Sequence, residues 1–257
     1  MAEKTNSNGA TIWREVKEAA PYWAGAIVLV GLFTVLAWAL REPGARTCSA
    51  PPYPCVAAPS PQTFPWAIVG QLALVVYAYA KLVQKEQYSD VFLGLALWVG
   101  ELIWEMSNGV MGHFCGAPWF GLEGVSAWRI YGGVNIEISL MFAMVPPTLL
   151  AILPKDRKLI LGKISNRTAW SIGLGAFCVG VEMLLNRAGV LTWAWWYWRT
   201  PHVALILFAY CSPYVVFSWV QYHVKKTSTS ALILTIIVAT AVICHFALGD
   251  IIRITCP

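Results

Sequence analysis

Charge is what this chain has least of. Asp, Glu, Lys and Arg make up 12% of 257 residues, hydrophobic residues make up 58%, and mean hydropathy is +0.61. A water-soluble domain of this size has no use for so much apolar surface, so composition predicts a polytopic membrane protein. Several chemistries are missing as well. No phosphate-cradling glycine loop, dinucleotide fingerprint or Ser–His triad spacing occurs, which argues against nucleotide-dependent and triad-hydrolase classes. There is no Cys-x-x-Cys pair, no Glu-x-x-His pair and no dense histidine motif, so neither metal nor cofactor is expected. No lysine falls at mid-membrane depth in a predicted span, which disfavours a retinal Schiff base. No internal repeat, heptad or low-complexity stretch is present. The net charge of +5 carries no nucleic-acid implication, because the basic residues are distributed by topology.

What remains is apolar sequence in runs of spanning length. Seven segments approach the ~20 residues a bilayer requires: roughly 20–40, 65–84, 91–111, 127–151, 168–188, 203–223 and 229–249. The fold class expected is therefore all-α, a polytopic seven-helix membrane protein. Every lysine lies in the N-terminus or in the connections containing KLVQKEQYSD, PKDRKLILGKISNR and HVKKTSTS. The opposite connections hold only Arg41, Arg46, Arg129, Arg187, Arg199 and Arg253. The positive-inside rule then predicts a cytoplasmic N-terminus and an external C-terminus. Residues 1–19 are expected to form a cytoplasmic interfacial segment, and 20–257 the seven-helix domain. The first apolar run begins too far in, and is too long, for a cleavable signal core, so it is expected to stay as a helix. A plasma or inner membrane with an oxidising external face is the expected location.

The cysteines fit that topology. Cys48, Cys55, Cys115 and Cys256 fall on the external side, where disulfides form. Proximity favours Cys48–Cys55, leaving Cys115 with Cys256; four free thiols remain the alternative. Cys178, Cys211 and Cys244 lie within predicted helices and read as packing residues.

Polar residues inside the spans carry the functional reading. GELIWEMSNGVMGHF places Glu101, Glu105 and Asn108 on one helix face, since positions three and four apart are neighbours there. Glu101 is expected near the midplane, with Glu105 about 6 Å nearer the outside. Asn135 and Glu137 follow in the next span, then Glu182 with Asn186, and finally His245 and Asp250 at the end of the last helix. All belong to the outer half, and the inner half is expected to be almost bare. A charged acid at the bilayer centre costs at least ~2.5 kcal/mol, so ionisable groups inside spans are functional candidates by default. With no base beside it, such an acid is a proton donor. Tryptophan is abundant, with 14 copies. Trp98, Trp104 and Trp128, with Tyr131, are candidate substrate contacts, because aromatic faces stabilise cations. For the Trp193, Trp195, Trp196, Trp198 cluster, an interfacial aromatic belt is the competing reading.

The stretch GQLALVVYAYAKLVQKEQYSDVFLGLALWVGELIWEMSN resembles the integral-membrane terpene cyclases of fungal meroterpenoid and indole-diterpene pathways, mainly over residues 70–108. Those proteins are of similar size, with seven predicted spans and no aspartate-rich metal motif. The shared features are a helix ending in aromatic and basic residues, a short polar loop, and a helix carrying Trp-Glu, here Trp104-Glu105. The resemblance implies that Glu105 protonates an alkene or epoxide. The family's second acid lies within its last helix, where this chain has His245 and Asp250.

Two functional expectations follow. The first is an isomerase- or lyase-type enzyme taking a lipophilic, isoprenoid-like substrate from the membrane lipid. Glu105 or Glu101 is its acid, with Glu137, Asn108, Asn135 and Glu182 as supporting groups. Trp98, Trp104, Trp128, Tyr131, His245 and Asp250 line the substrate. The second is a non-catalytic subunit of a membrane complex or a small proton-coupled transporter. Protein partners cannot be read from the sequence.

Overall fold

A computed structural model describes residues 66–115, 118–122, 129–131, 134–161, 164–188, 191–193, 195–198 and 202–252. All of them belong to one compact unit, Arg46–Pro257. The expected span at 20–40, the segment 1–19, and residues Cys48, Cys55, Trp128 and Cys256 lie outside the described residues. Cys115 is described only as the last residue of its helix. Cys178, Cys211 and Cys244 are free thiols.

The described residues are mostly helical. The helices are α1 (Trp66–Gln84), α2 (Tyr88–Cys115), α3 (Ile136–Ile152), α4 (Asn166–Arg187), α5 (Ala204–His223) and α6 (Thr227–Ile252). Each coincides with an apolar run, and the α1–α2 and α5–α6 connections are three-residue turns. Glu86 closes α1 at φ 57. There Gln87 N–H donates to Leu82 O at 3.0 Å and Glu86 N–H to Val83 O at 2.9 Å. This pairing is a Schellman cap, which satisfies the last helix carbonyls and reverses the chain into α2.

Among the described residues, three helices are long and apolar enough to cross a membrane: Asn166–Arg187, Ala204–His223 and Thr227–Gly249. Ile68–Gln84 and Ile136–Ile152 are shorter apolar helices. At 28 residues α2 has ample length, but it carries Asp90, Glu101 and Glu105.

Two expectations need correction. The fourth helix begins at Ile136, not near residue 127, because the chain first makes a hairpin. Strand β2 (Arg129–Tyr131) pairs antiparallel with β3 (Val134–Asn135), and Asn135 then caps α3. Arg129 is therefore not on the helix of Glu137. The fold is also not purely α. Besides that hairpin, β4 (Leu159–Leu161) pairs with β5 (Ile164–Ser165). A third ladder joins β1 (Phe120–Leu122) to β6 (Leu191–Trp193), with Phe120 opposite Trp193.

Helix α2 is the hub, packing on α6 most extensively and also on α1, α3 and α5, while α4 packs chiefly on α5. Ile68, Val75 and Leu82 form a seven-residue-spaced buried seam on α1. Leu72, Leu74, Val76, Tyr77 and Val83 stay exposed, an arrangement suited to lipid on the outer side of that helix. Lipid tails are as apolar as these side chains, so helix association inside a bilayer depends on close packing and hydrogen bonds rather than on the hydrophobic effect. Trp98 Nε1 accordingly donates to Ser139 Oγ at 3.0 Å, joining α2 to α3.

Close packing is tightest where α4 meets α5. A Cβ on Gly175 would lie 2.7 Å from Cys211 Sγ and 3.0 Å from Cys211 Cα, whereas one on Gly173 would meet nothing within 4 Å. Gly175→Ala therefore forces the helices apart and is expected to destabilise the fold by about 1–3 kcal/mol. Thermal unfolding in detergent should show a lowered Tm for Gly175→Ala and none for Gly173→Ala. Equal Tm values for the two variants would contradict this packing.

Candidate functional site

Three carboxyl groups converge in the bundle interior. Glu101 and Glu105 come from α2, and Glu182 comes from α4. They lie within electrostatic reach of one another, and Tyr214 and Cys178 share that reach. Glu105 is 1% exposed, and neither of its oxygens finds a hydrogen-bond partner of proper geometry. Glu182 is 9% exposed and accepts a hydrogen bond on Oε1 from the Tyr210 hydroxyl.

Glu182 faces a cleft of about 120 Å³ between α3, α4 and α5. Apart from Glu182, Tyr210, Tyr214 and Cys178, its walls are apolar, with Phe120, Phe142, Val181 and Leu185 among them. Met141 and Phe177 also line it and are exposed on the bundle surface, Phe177 to 67%. The cleft thus runs from an apolar outer face to a carboxyl–phenol pair. Glu105 and Glu101 do not line it; they stand beside Glu182, on α2.

An aromatic cap covers the end of α2. Trp104 stacks on Trp119 with centroids 5.0 Å apart, and Trp119 stacks on Trp198 at 5.8 Å. Phe120 lies 6.1 Å from the Trp198 ring. Trp193, Trp195 and Trp198 are buried, which corrects the interfacial-belt reading for them. They form packed roof rather than exposed girdle, because the β1–β6 ladder draws their segment inward.

Asn108 fastens that roof. It is fully buried, and its Nδ2 donates to Phe120 O at 3.0 Å. Its Oδ1 accepts from Trp119 N–H at 2.7 Å and from Phe120 N–H at 3.5 Å. These backbone contacts position the roof, and the same side chain reaches the Glu105 carboxyl, tying the roof to the acids. Asn135 has a similar local duty, its Oδ1 accepting from Ile138 N–H at 3.0 Å as the N-cap of α3. Glu137 follows in the first turn, where an acid favours the helix dipole. Asn186 Nδ2 donates to Leu191 O at 2.8 Å and holds β6 against the end of α4. Trp98 packs with the α1–α3 cluster around Ile68, Val75, Leu140 and Ala143. Tyr131 lies in β2, and His245 is half-buried on α6, whose residue Asp250 lies one turn further on.

Sequence reasoning missed Tyr210 and Tyr214. They stand four apart in the apolar helix α5, and that spacing was the available signal. It also missed a polar junction at the other end of the bundle. Arg167 is buried there, donating from Nη1 to Pro154 O at 2.6 Å and from Nη2 to Gln221 Oε1. Gln221 Nε2 donates in turn to Asp90 Oδ1 at 2.9 Å. These bonds join α2, α4 and α5 at the end where the basic connections lie. Among the described residues, no three His, Cys, Asp or Glu side chains gather closely enough to hold a metal ion.

A family model described as "Uncharacterized membrane protein family" matches residues 58–250. The chain belongs to that family. It is also similar to a protein of Archaeoglobus fulgidus described as "Uncharacterized protein", 39% identical over 160 residues, which is 61% of this chain and 75% of that relative. No solved structure matches. Family membership makes the chain a membrane protein, and the three long apolar helices are its candidate spans.

Proposed function

We propose that this protein is a multi-pass membrane enzyme that isomerises or cyclises a lipophilic, isoprenoid-like substrate by protonating a carbon–carbon double bond. The observation that carries the reading is the apolar cleft whose outer lip, at Met141 and Phe177, is exposed and whose inner end is Glu182 with Tyr210. Helices α1 to α6 all cross the bilayer in this reading, with residues 20–40 as the seventh span. Helices α1 and α3, with 19 and 17 residues, rise roughly 28 and 25 Å, close to the ~30 Å hydrocarbon core. The basic end holding Lys81, Lys85, Lys155 and Lys225 is cytoplasmic.

The substrate chain enters between α3 and α4 past Met141 and Phe177. Neutral Glu182 gives its proton to one carbon of a double bond, and a carbocation forms at the other carbon beside Phe120, Phe142 and Tyr214. Each aromatic face so used contributes about 0.5–2 kcal/mol. The Tyr210 hydroxyl, already bonded to Oε1, stabilises the carboxylate that remains. Attack by a second double bond closes a ring, and a neighbouring C–H then returns its proton to Glu182. Atoms and charge balance without a metal or an oxidant. Glu101 and Glu105 stand in electrostatic reach, adjoining the acid as a proton reserve.

A proton-coupled transporter needs polar groups along its whole path. Between Asp90 and Glu101, α2 runs VFLGLALWVG, about 16 Å without an ionisable side chain.

Mass spectrometry of small molecules that co-purify in mild detergent tests the proposal. The wild type should retain an isoprenoid-class lipid, and Leu185→Trp, which fills the cleft, should lose it. Retention of bulk phospholipid alone by both, or co-purification of a protein partner in its place, would replace the enzyme reading with that of a subunit.

A further inference from the structure

The loop between α3 and α4 is polar where it is bonded and apolar where it is exposed. Asn166 pins it twice, accepting from Lys158 N–H at 3.0 Å and donating to Asp156 O at 2.9 Å. Asn166 N–H also donates to Lys158 O at 2.8 Å. Arg167 secures Pro154 from below. The β4–β5 hairpin held by these bonds shows Leu159 (63% exposed), Ile160 and Ile164 to the outside. A connection that left the membrane for water would not be expected to hold three large aliphatic side chains outward in a fixed loop.

The flanking charge is of one kind. Lys155, Arg157 and Lys158 are exposed on the same loop. Arg157 and Lys225 both reach His223 electrostatically, so the end of α5 extends the same basic surface. Lys225 and Lys226 are exposed there. Against them stand Asp156 on the loop, Glu86 in the α1–α2 turn, and Asp90, whose carboxylate is bonded to Gln221. Cations dominate the rim.

We propose that the β4–β5 hairpin is an anionic-lipid binding element. Leu159, Ile160 and Ile164 insert at the boundary between headgroups and acyl chains. Lys155, Arg157 and Lys158, with Lys225, pair with the phosphates of negatively charged lipids in the same leaflet. Apolar insertion combined with cationic flanks is what an interfacial segment needs to bind such a surface. A soluble phosphate compound would use the cations but would leave the three aliphatic side chains in water, so the observations favour a lipid. The inference rests on membership of a membrane protein family and is independent of the proposed chemistry.

The test offers the full-length protein an equimolar mixture of phosphatidylglycerol and phosphatidylcholine and counts the lipids retained, by native mass spectrometry. One cation near an anionic surface gives roughly a fivefold preference. The wild type should therefore enrich phosphatidylglycerol, and the Arg157→Glu, Lys158→Glu double variant should lower that enrichment by roughly fivefold or more. Leu159→Ser with Ile160→Ser should weaken retention while keeping the preference for negative charge. The charge-preserving pair Arg157→Lys, Lys158→Arg should behave as wild type, which separates charge from loop integrity. Excess inorganic phosphate should leave the bound lipid in place. Absence of enrichment in the wild type, enrichment unchanged by charge reversal, or full displacement by phosphate would each overturn the proposal.

Discussion

Glu182→Gln should leave the protein folded and its lipid bound, yet slow conversion of that lipid by roughly 10²–10⁴-fold, the range that a positioned acid contributes. The amide keeps the shape of the side chain and still accepts the Tyr210 hydroxyl on Oε1, but it has no acidic proton to give. Tyr210→Phe removes one hydrogen bond to the developing carboxylate and should cost roughly tenfold to a hundredfold. Glu105→Gln should cost less than Glu182→Gln, because Glu105 is not among the residues lining the cleft. Turnover of the retained lipid by the three variants, compared by mass spectrometry, checks the order. If Glu105→Gln proves the most damaging, the acid is Glu105, as the resemblance to the terpene cyclases implies.

Asn108→Ala should be the most destabilising of the polar truncations at the site. It strands Phe120 O, Trp119 N–H and Phe120 N–H inside the protein. Each buried polar group left unpaired costs about 1–3 kcal/mol, so a loss of about 3 kcal/mol or more is expected. The roof formed by Trp104, Trp119 and Trp198 should loosen with it. Near-ultraviolet circular dichroism, which reports stacked indoles, should fall together with Tm. An unchanged spectrum with an unchanged Tm would mean that Asn108 does not fasten the roof.

The helices were legible wherever an apolar run and a spanning length coincide, as in α5 and α6. The start of α3 was not. Asn135 looked like a polar residue within a span, but it is the cap that begins the helix, and the residues before it pair as strands. Glu105 and Asn108 could be placed on one face of α2 from spacing alone. The duty of Asn108 could not, because its partners are backbone atoms 11 and 12 residues further along. Tyr210 stayed hidden for a related reason. An aromatic residue in a membrane helix reads as packing until α4 and α5 are placed side by side, and only then does its hydroxyl meet Glu182. The buried tryptophans after β6 depend likewise on a strand ladder between residues about 70 positions apart. Local periodicity survives in sequence, whereas pairings between distant elements do not.

The measurement closest to the central claim is deuterium transfer. Wild type and Glu182→Gln, each carrying its retained lipid, would be incubated in D₂O and the lipid analysed for new carbon–deuterium bonds. The account predicts one solvent-derived deuterium at a single carbon of the lipid converted by the wild type, and almost none with the variant. Conversion without deuterium, or equal incorporation by Glu182→Gln, would contradict protonation by Glu182.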